Sequence, residues 1–217
     1  MKNLFNPDSI FFQFLSRVGD LILTNALFLL CSLPVVTMGA SLAAMHKITQ
    51  DLVFDNEMGI WKTFWKAFKE NFRQATIVWV AALVIIVSLI CDWLLIMTYF
   101  SGTMATVMYV LLAVLAVIVA CVTAYMIPLL VRYRNTLREH LSNAIVLAII
   151  KLPKTIGLVL LNLLPLIILV LSVQVFVQTL IFWIFIGFAF TTFLESHLLK
   201  GVFEELEKGQ ESVTVFK

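Results

Sequence analysis

Asp92 is a carboxylate set well inside an apolar run, Ala75–Phe100. At about 1.5 Å of rise per residue it lies about 12 Å from the end of that run. A charge at such depth is costly and normally faces a bundle interior or a watery cavity. Asp92 is therefore a candidate for holding a substrate or a proton. The alternative expectation is a hydrogen-bonded acid near the outer interface, beside Trp93. Asn25 and Asn162 sit in two other apolar runs and join Asp92 as candidate substrate-binding residues. Amides in such places also tie helices together by hydrogen bonds.

A second group carries charge on a patterned face. Ile60, Trp61, Phe64, Trp65, Phe68 and Phe72 fall on one side of a helix of period 3.6. Lys62, Lys66, Lys69 and Arg73 fall on the other, with Glu70. That pattern predicts a helix over about 60–73 lying in the membrane interface, or else packed under the bundle as an elbow into the second span. Its four cations form a candidate docking face for a cytoplasmic protein or for anionic lipid. Two more interfacial helices are expected over about 10–18 and 137–150, the first capped by Asp8 or Ser9.

Catalytic and metal chemistry find no footing. His46, His140 and His197 are far apart and lack ligand spacing, and no H-E-x-x-H, G-x-S-x-G or P-loop pattern occurs. Cys31, Cys91 and Cys121 all lie in apolar runs, without C-x-x-C spacing, and read as small packing residues. No enzyme activity, metal or cofactor is expected.

The elements that must position these residues follow from composition. Of 217 residues 62% are hydrophobic and only 13% charged, with mean hydropathy +1.03. Soluble domains carry about twice that charge. A soluble globule, a disordered chain and a nucleic-acid binder are excluded on this basis. Helices alone satisfy their own backbone in lipid without strand-period alternation, so the fold class is all-α, a polytopic transmembrane bundle. Five spans are expected, at about 21–44, 75–100, 105–131, 155–172 and 175–199. They form a single integral membrane domain, and no cleavable leader is expected. Pro34, Pro128 and Pro165 are candidate kinks, since each removes a backbone donor. At Pro34 the first segment is either one kinked crossing or a re-entrant hairpin of Leu21–Leu33 and Gly39–Val53.

Charge predicts orientation. Thirteen of the fifteen Lys and Arg residues lie in the connections 47–74 and 132–154 or after the last span, and none lies in the turns 101–104 and 173–174. The basic connections and the C-terminus are therefore expected to be cytoplasmic. A loose repeat of elbow, span, uncharged turn, span and basic exit recurs at Ile60–Tyr133 and Leu137–Lys200.

The stretch Cys31-Ser-Leu-Pro-Val-Val-Thr-Met-Gly-Ala40, followed by Ser41-Leu-Ala-Ala44, resembles the YesL family, a Firmicutes membrane family of unassigned function. The segment Phe64-Trp-Lys-Ala-Phe68-Lys-Glu-Asn-Phe72 is similar as well. The resemblance implies a bacterial plasma membrane protein linked to carbohydrate uptake, and supplies no site residues. Ile150-Lys-Leu-Pro153 also resembles the end of the coupling loop of ABC-importer permeases, which implies an importer subunit as a possible partner. Two functions follow as expectations. One is a transport-associated component of carbohydrate uptake. The other is a non-transporting scaffold or regulator that binds cytoplasmic partners.

Overall fold

A computed structural model of the protein describes residues 10–56 and 59–215. Asp8 and Ser9, the expected caps of the first helix, lie outside the described residues. The described chain is helical throughout, and five helices are long and apolar enough to cross a membrane.

The first of them, α1, runs over Ile10–Cys31. The expected interfacial helix over 10–18 is thus not separate: it continues into the apolar segment. Gly19 is the only weak helix former at the junction, and one interior glycine costs about 1 kcal/mol, too little to end a helix. The real stop is Pro34. Beyond it come a short 3-10 turn, Val35–Thr37, and α2, Met38–Val53. Thr37 Oγ1 donates to the carbonyls of Cys31 (2.6 Å) and Pro34 (2.8 Å), which occupies acceptors freed where α1 ends.

The chain then doubles back. Arg17 Nη1 donates to the Leu52 carbonyl at 2.8 Å and the same side chain pairs with Asp55, so the start of α1 meets the end of α2. Of the two arrangements open at Pro34, the structure adopts the hairpin, and the single kinked crossing over 21–44 is not formed. The polar half of α2 explains the choice. His46, Thr49, Gln50 and Asp51 are buried against other helices and so never face lipid.

Helix α3, Ile60–Tyr99, is 40 residues long, or about 60 Å. The expected interfacial helix over 60–73 and the span beginning at 75 are therefore one continuous helix. No glycine or proline interrupts Arg73–Ala75. The aromatic face also divides. Ile60, Phe64 and Ala67 pack with Leu21, Phe28, Ala44 and Ile48 in the core shared with α1 and α2. Trp61, Trp65, Phe68 and Phe72 form a ladder along the helix, with successive ring centroids 5.6–5.9 Å apart.

The return helix α4, Gly102–Arg132, passes through Pro128 without a break. Gly102 has φ +65°, which suits the tight turn between α3 and α4. Next comes α5, Leu137–Ile150, opened by a capping box in which Thr136 and Glu139 bond each other's backbone N–H. The hydrogen bonds from Thr136 hold the Glu139 carboxyl below its usual range. Helix α6, Leu152–Leu171, likewise continues through Pro165. Helix α7, Val173–Phe182, leads through a π-helical turn, Trp183–Gly187, into α8, Phe188–Val215.

Two hairpins, α3–α4 and α6–α7, give the loose repeat its form, but only the second has a separate helix, α5, before it. Tyr125, Leu129, Ala144, Leu147, Leu158, Leu199 and Phe203 tie α4, α5, α6 and α8 into one core. The outward apolar residues of α3, α4, α6 and α7, such as Val84, Val87, Leu111, Ile118 and Val170, are exposed. In a protein of this composition that surface is the one lipid covers. The protein is a multi-span membrane protein.

Candidate functional site

Three candidate substrate residues of the sequence go to three separate places. Asn25 is buried on α1. Its Nδ2 donates to the carbonyls of Trp183 (3.1 Å) and Ile184 (2.7 Å), and its Oδ1 accepts from the Ala189 N–H (3.0 Å). A π-turn leaves backbone groups out of the helical ladder, and this amide serves them. Asn162 donates to the Leu158 carbonyl of its own helix at 3.0 Å. Asp92 is exposed on α3, beside an apolar groove formed with Phe100, Met108 and Leu111. They do not converge on a common cavity.

Some buried polar groups elsewhere in the bundle bond across helices, whereas others, the His140 ring and Trp183 Nε1 among them, have no protein partner among the described residues. Thr49 and Ser196 hydroxyls lie 3.0 Å apart across α2 and α8. Gln50 Nε2 donates to the Pro128 carbonyl at 3.0 Å, which joins α2 to α4. His46 Nε2 lies 3.7 Å from Glu195 Oε2, beyond hydrogen-bond distance, with both side chains buried. Serine and threonine hydroxyls within the apolar helices, at Ser88, Thr98, Thr123 and Thr179, donate back to carbonyls three or four residues earlier.

The open polar space lies at the basic end. A cleft of about 1040 Å³ separates the first half of α3 from the ends of α2 and α4. Helix α2 contributes Lys47 and Asp51. Helix α3 contributes Thr63, Lys66, Glu70, Asn71, Arg73 and Gln74. The end of α4 and the link to α5 contribute Arg132, Tyr133, Arg134 and Asn135. The α3 residues recur at three- and four-residue spacing, so they form one stripe, and buried Ala67 lies at its floor where the cleft meets the core. Gln74 Nε2 donates to the Asn135 carbonyl at 3.3 Å and closes the cleft where α3 meets the α4–α5 link.

Five cations and two acids line this space, an excess of three positive charges. Two of the cations are already engaged. Lys47 Nζ pairs with Asp51 Oδ1 at 2.9 Å, and Asn56 Nδ2 also donates to that oxygen. Arg132 pairs with Glu207 at 2.7 Å and lies 4.0 Å over the Phe54 ring. Lys66, Arg73 and Arg134 are exposed on the walls and enter no ion pair among the described residues. Burial and then the Glu207 carboxylate push the Tyr133 phenol up, so it remains protonated.

Of the four cations expected on one docking face, Lys66 and Arg73 line the cleft, whereas Lys62 and Lys69 are exposed outside it. Lys47, Asp51, Arg132, Tyr133, Arg134 and Asn135 are the residues that sequence reasoning did not assign to a site. Their basic members served only to orient the spans. The signal that could have joined them is the hairpin at Pro34, which brings Lys47 back beside Lys66.

Residues 21–93 match a family model described as "Protein of unknown function, DUF624". The match takes in the second half of α1, all of α2 and α3 as far as Trp93, and so two of the three cleft walls. No curated protein matches the chain, and no solved structure does. The chain is a multi-span membrane protein with a segment similar to the DUF624 family over residues 21–93.

Proposed function

We propose that the protein is a membrane-embedded binding component that works through the cleft at its basic end, with that end in the cytoplasm of a bacterial cell. One contrast carries this reading. Many hydroxyls and amides inside the apolar helices are spent on their own backbone or on each other, whereas the basic-end cleft is open and lined by exposed cations that enter no ion pair among the described residues. A solute path would need polar groups converging along the spans. The cytoplasmic placement follows from the concentration of Lys and Arg at the cleft end.

The reading is one of binding rather than catalysis, since the lining's cations outnumber its two acids and favour holding an anion. Of the two functions expected from sequence, it favours the scaffold or regulator. The link to carbohydrate uptake rests on the YesL resemblance alone. It is compatible with a binding component that accompanies an importer, whose subunit would then be a partner.

The test is retention of associated species by the full chain purified from native membranes. Arg73→Glu/Arg134→Glu reverses two cleft cations. Lys62→Glu/Lys69→Glu makes the same charge change outside the cleft. The wild type and the second variant are expected to retain the same species, and the first to lose them. Equal profiles for all three at equal expression would overturn the reading.

A further inference from the structure

We infer that the cleft binds a phosphate monoester. The inference rests on the reading of the cleft as a binding site and deepens it by naming the chemistry of the ligand. Once the Lys47–Asp51 and Arg132–Glu207 pairs are set aside, the walls present Lys66, Arg73 and Arg134 against the single carboxylate of Glu70. That leaves an excess of two positive charges. A phosphate monoester carries about −1.5 to −2 at neutral pH and three acceptor oxygens. The charges match.

The geometry favours phosphate over carboxylate. Arg73 comes from α3 and Arg134 from the link after α4, so the two guanidinium groups approach from different walls of the same cleft. A guanidinium is a rigid planar fork that bonds two oxygens at once. A carboxylate has two oxygens in one plane and fills one such fork. A tetrahedral phosphate presents three oxygens in different directions and can take a fork from each wall, with the Lys66 ammonium as a point charge beside it. The cleft is also large enough for the body that carries the phosphate. The same headgroup chemistry occurs in a soluble phosphate ester and in a phosphatidic acid of the adjoining leaflet.

The experiment uses the full chain in detergent and two probes that share the phosphate monoester. Glycerol 3-phosphate represents the soluble source and short-chain phosphatidic acid the lipid source. Binding is read by calorimetry and by the shift in melting temperature. At least one probe is expected to bind, about tenfold more weakly to Arg73→Gln/Arg134→Gln and unchanged to Lys62→Gln/Lys69→Gln. Binding of glycerol 3-phosphate assigns a soluble ligand. Binding of phosphatidic acid alone assigns the lipid. Failure of both probes, or equal weakening by the two double variants, overturns the inference. A glutamate-rich peptide separates the two levels of the argument. If it binds in an Arg73- and Arg134-dependent way while neither phosphate does, the phosphate inference falls and the binding cleft stands. All substituted side chains are exposed, and size-exclusion chromatography is the check that each variant is folded.

Discussion

Gly39→Ala is expected to destabilise the protein by about 3 kcal/mol, at the upper end of the usual cost of overpacking. A methyl group there would lie 2.5 Å from the Ala75 carbonyl oxygen and 2.6 Å from Trp79 Cβ. Both obstacles belong to the rigid part of α3, so neither can rotate away. The helices must separate instead. Their contact continues through buried Ala43, which packs with Ala75, and Ala44, which packs in the core with Ile60 and Phe64. Small residues of this kind let backbones approach closely, and in lipid such packing is a main source of helix association. Trp79 Nε1 also donates to the Val35 carbonyl at 2.8 Å and pins the hairpin tip to α3. Gly19→Ala is the control, because no atom lies within 4 Å of its added carbon. Thermal denaturation in detergent should show a lower midpoint for Gly39→Ala and an equal or slightly higher one for Gly19→Ala. Equal midpoints for both would mean that α2 and α3 are not in this contact.

Asn25→Ala is expected to cost about 2–3 kcal/mol, the usual range for leaving a buried donor unsatisfied. The substitution strips the Ala189 N–H of its acceptor and the carbonyls of Trp183 and Ile184 of their donor. Because these groups belong to a π-turn and its exit, the helix has no spare partners of its own to offer them. Asn162→Ala removes an exposed amide that donates to the Leu158 carbonyl and also faces the Glu195 carboxyl. Its effect should be smaller, about 1 kcal/mol. The same denaturation series measures both. A larger loss for Asn162→Ala than for Asn25→Ala would contradict the structural role given to Asn25.

These two residues show what sequence could and could not convey. The apolar runs and their lengths made the all-α membrane class legible, because lipid admits few alternatives. Pro34 was legible as a break, and Asn25 as a helix-tying amide or a ligand group. The partner of Asn25 was not, since the π-turn lies about 160 residues away and has no composition of its own. The helix over 60–73 was patterned correctly but read as separate. Amphipathicity reports which faces are wet, not whether a helix bends where it enters the membrane. The cleft was least legible. Its walls come from α2, α3 and the end of α4, and the sequence offered only their charges, which also orient the spans. Asp92 stands apart. Its depth in an apolar run made it conspicuous, yet it shares no cavity with the other polar residues.

The cleft at the basic end is proposed to open to the cytoplasm. Side-specific labelling tests it most directly. Arg134→Cys and Ser101→Cys are placed singly in a chain whose Cys31, Cys91 and Cys121 are replaced by alanine. A membrane-impermeant maleimide is then applied to intact cells and to inverted vesicles. Arg134 is exposed on the cleft wall, and Ser101 is exposed in the turn at the opposite end of α4. Cys at 134 is expected to react only in inverted vesicles and Cys at 101 only in intact cells. Reaction of position 134 from outside the cell, or from neither side, would contradict it.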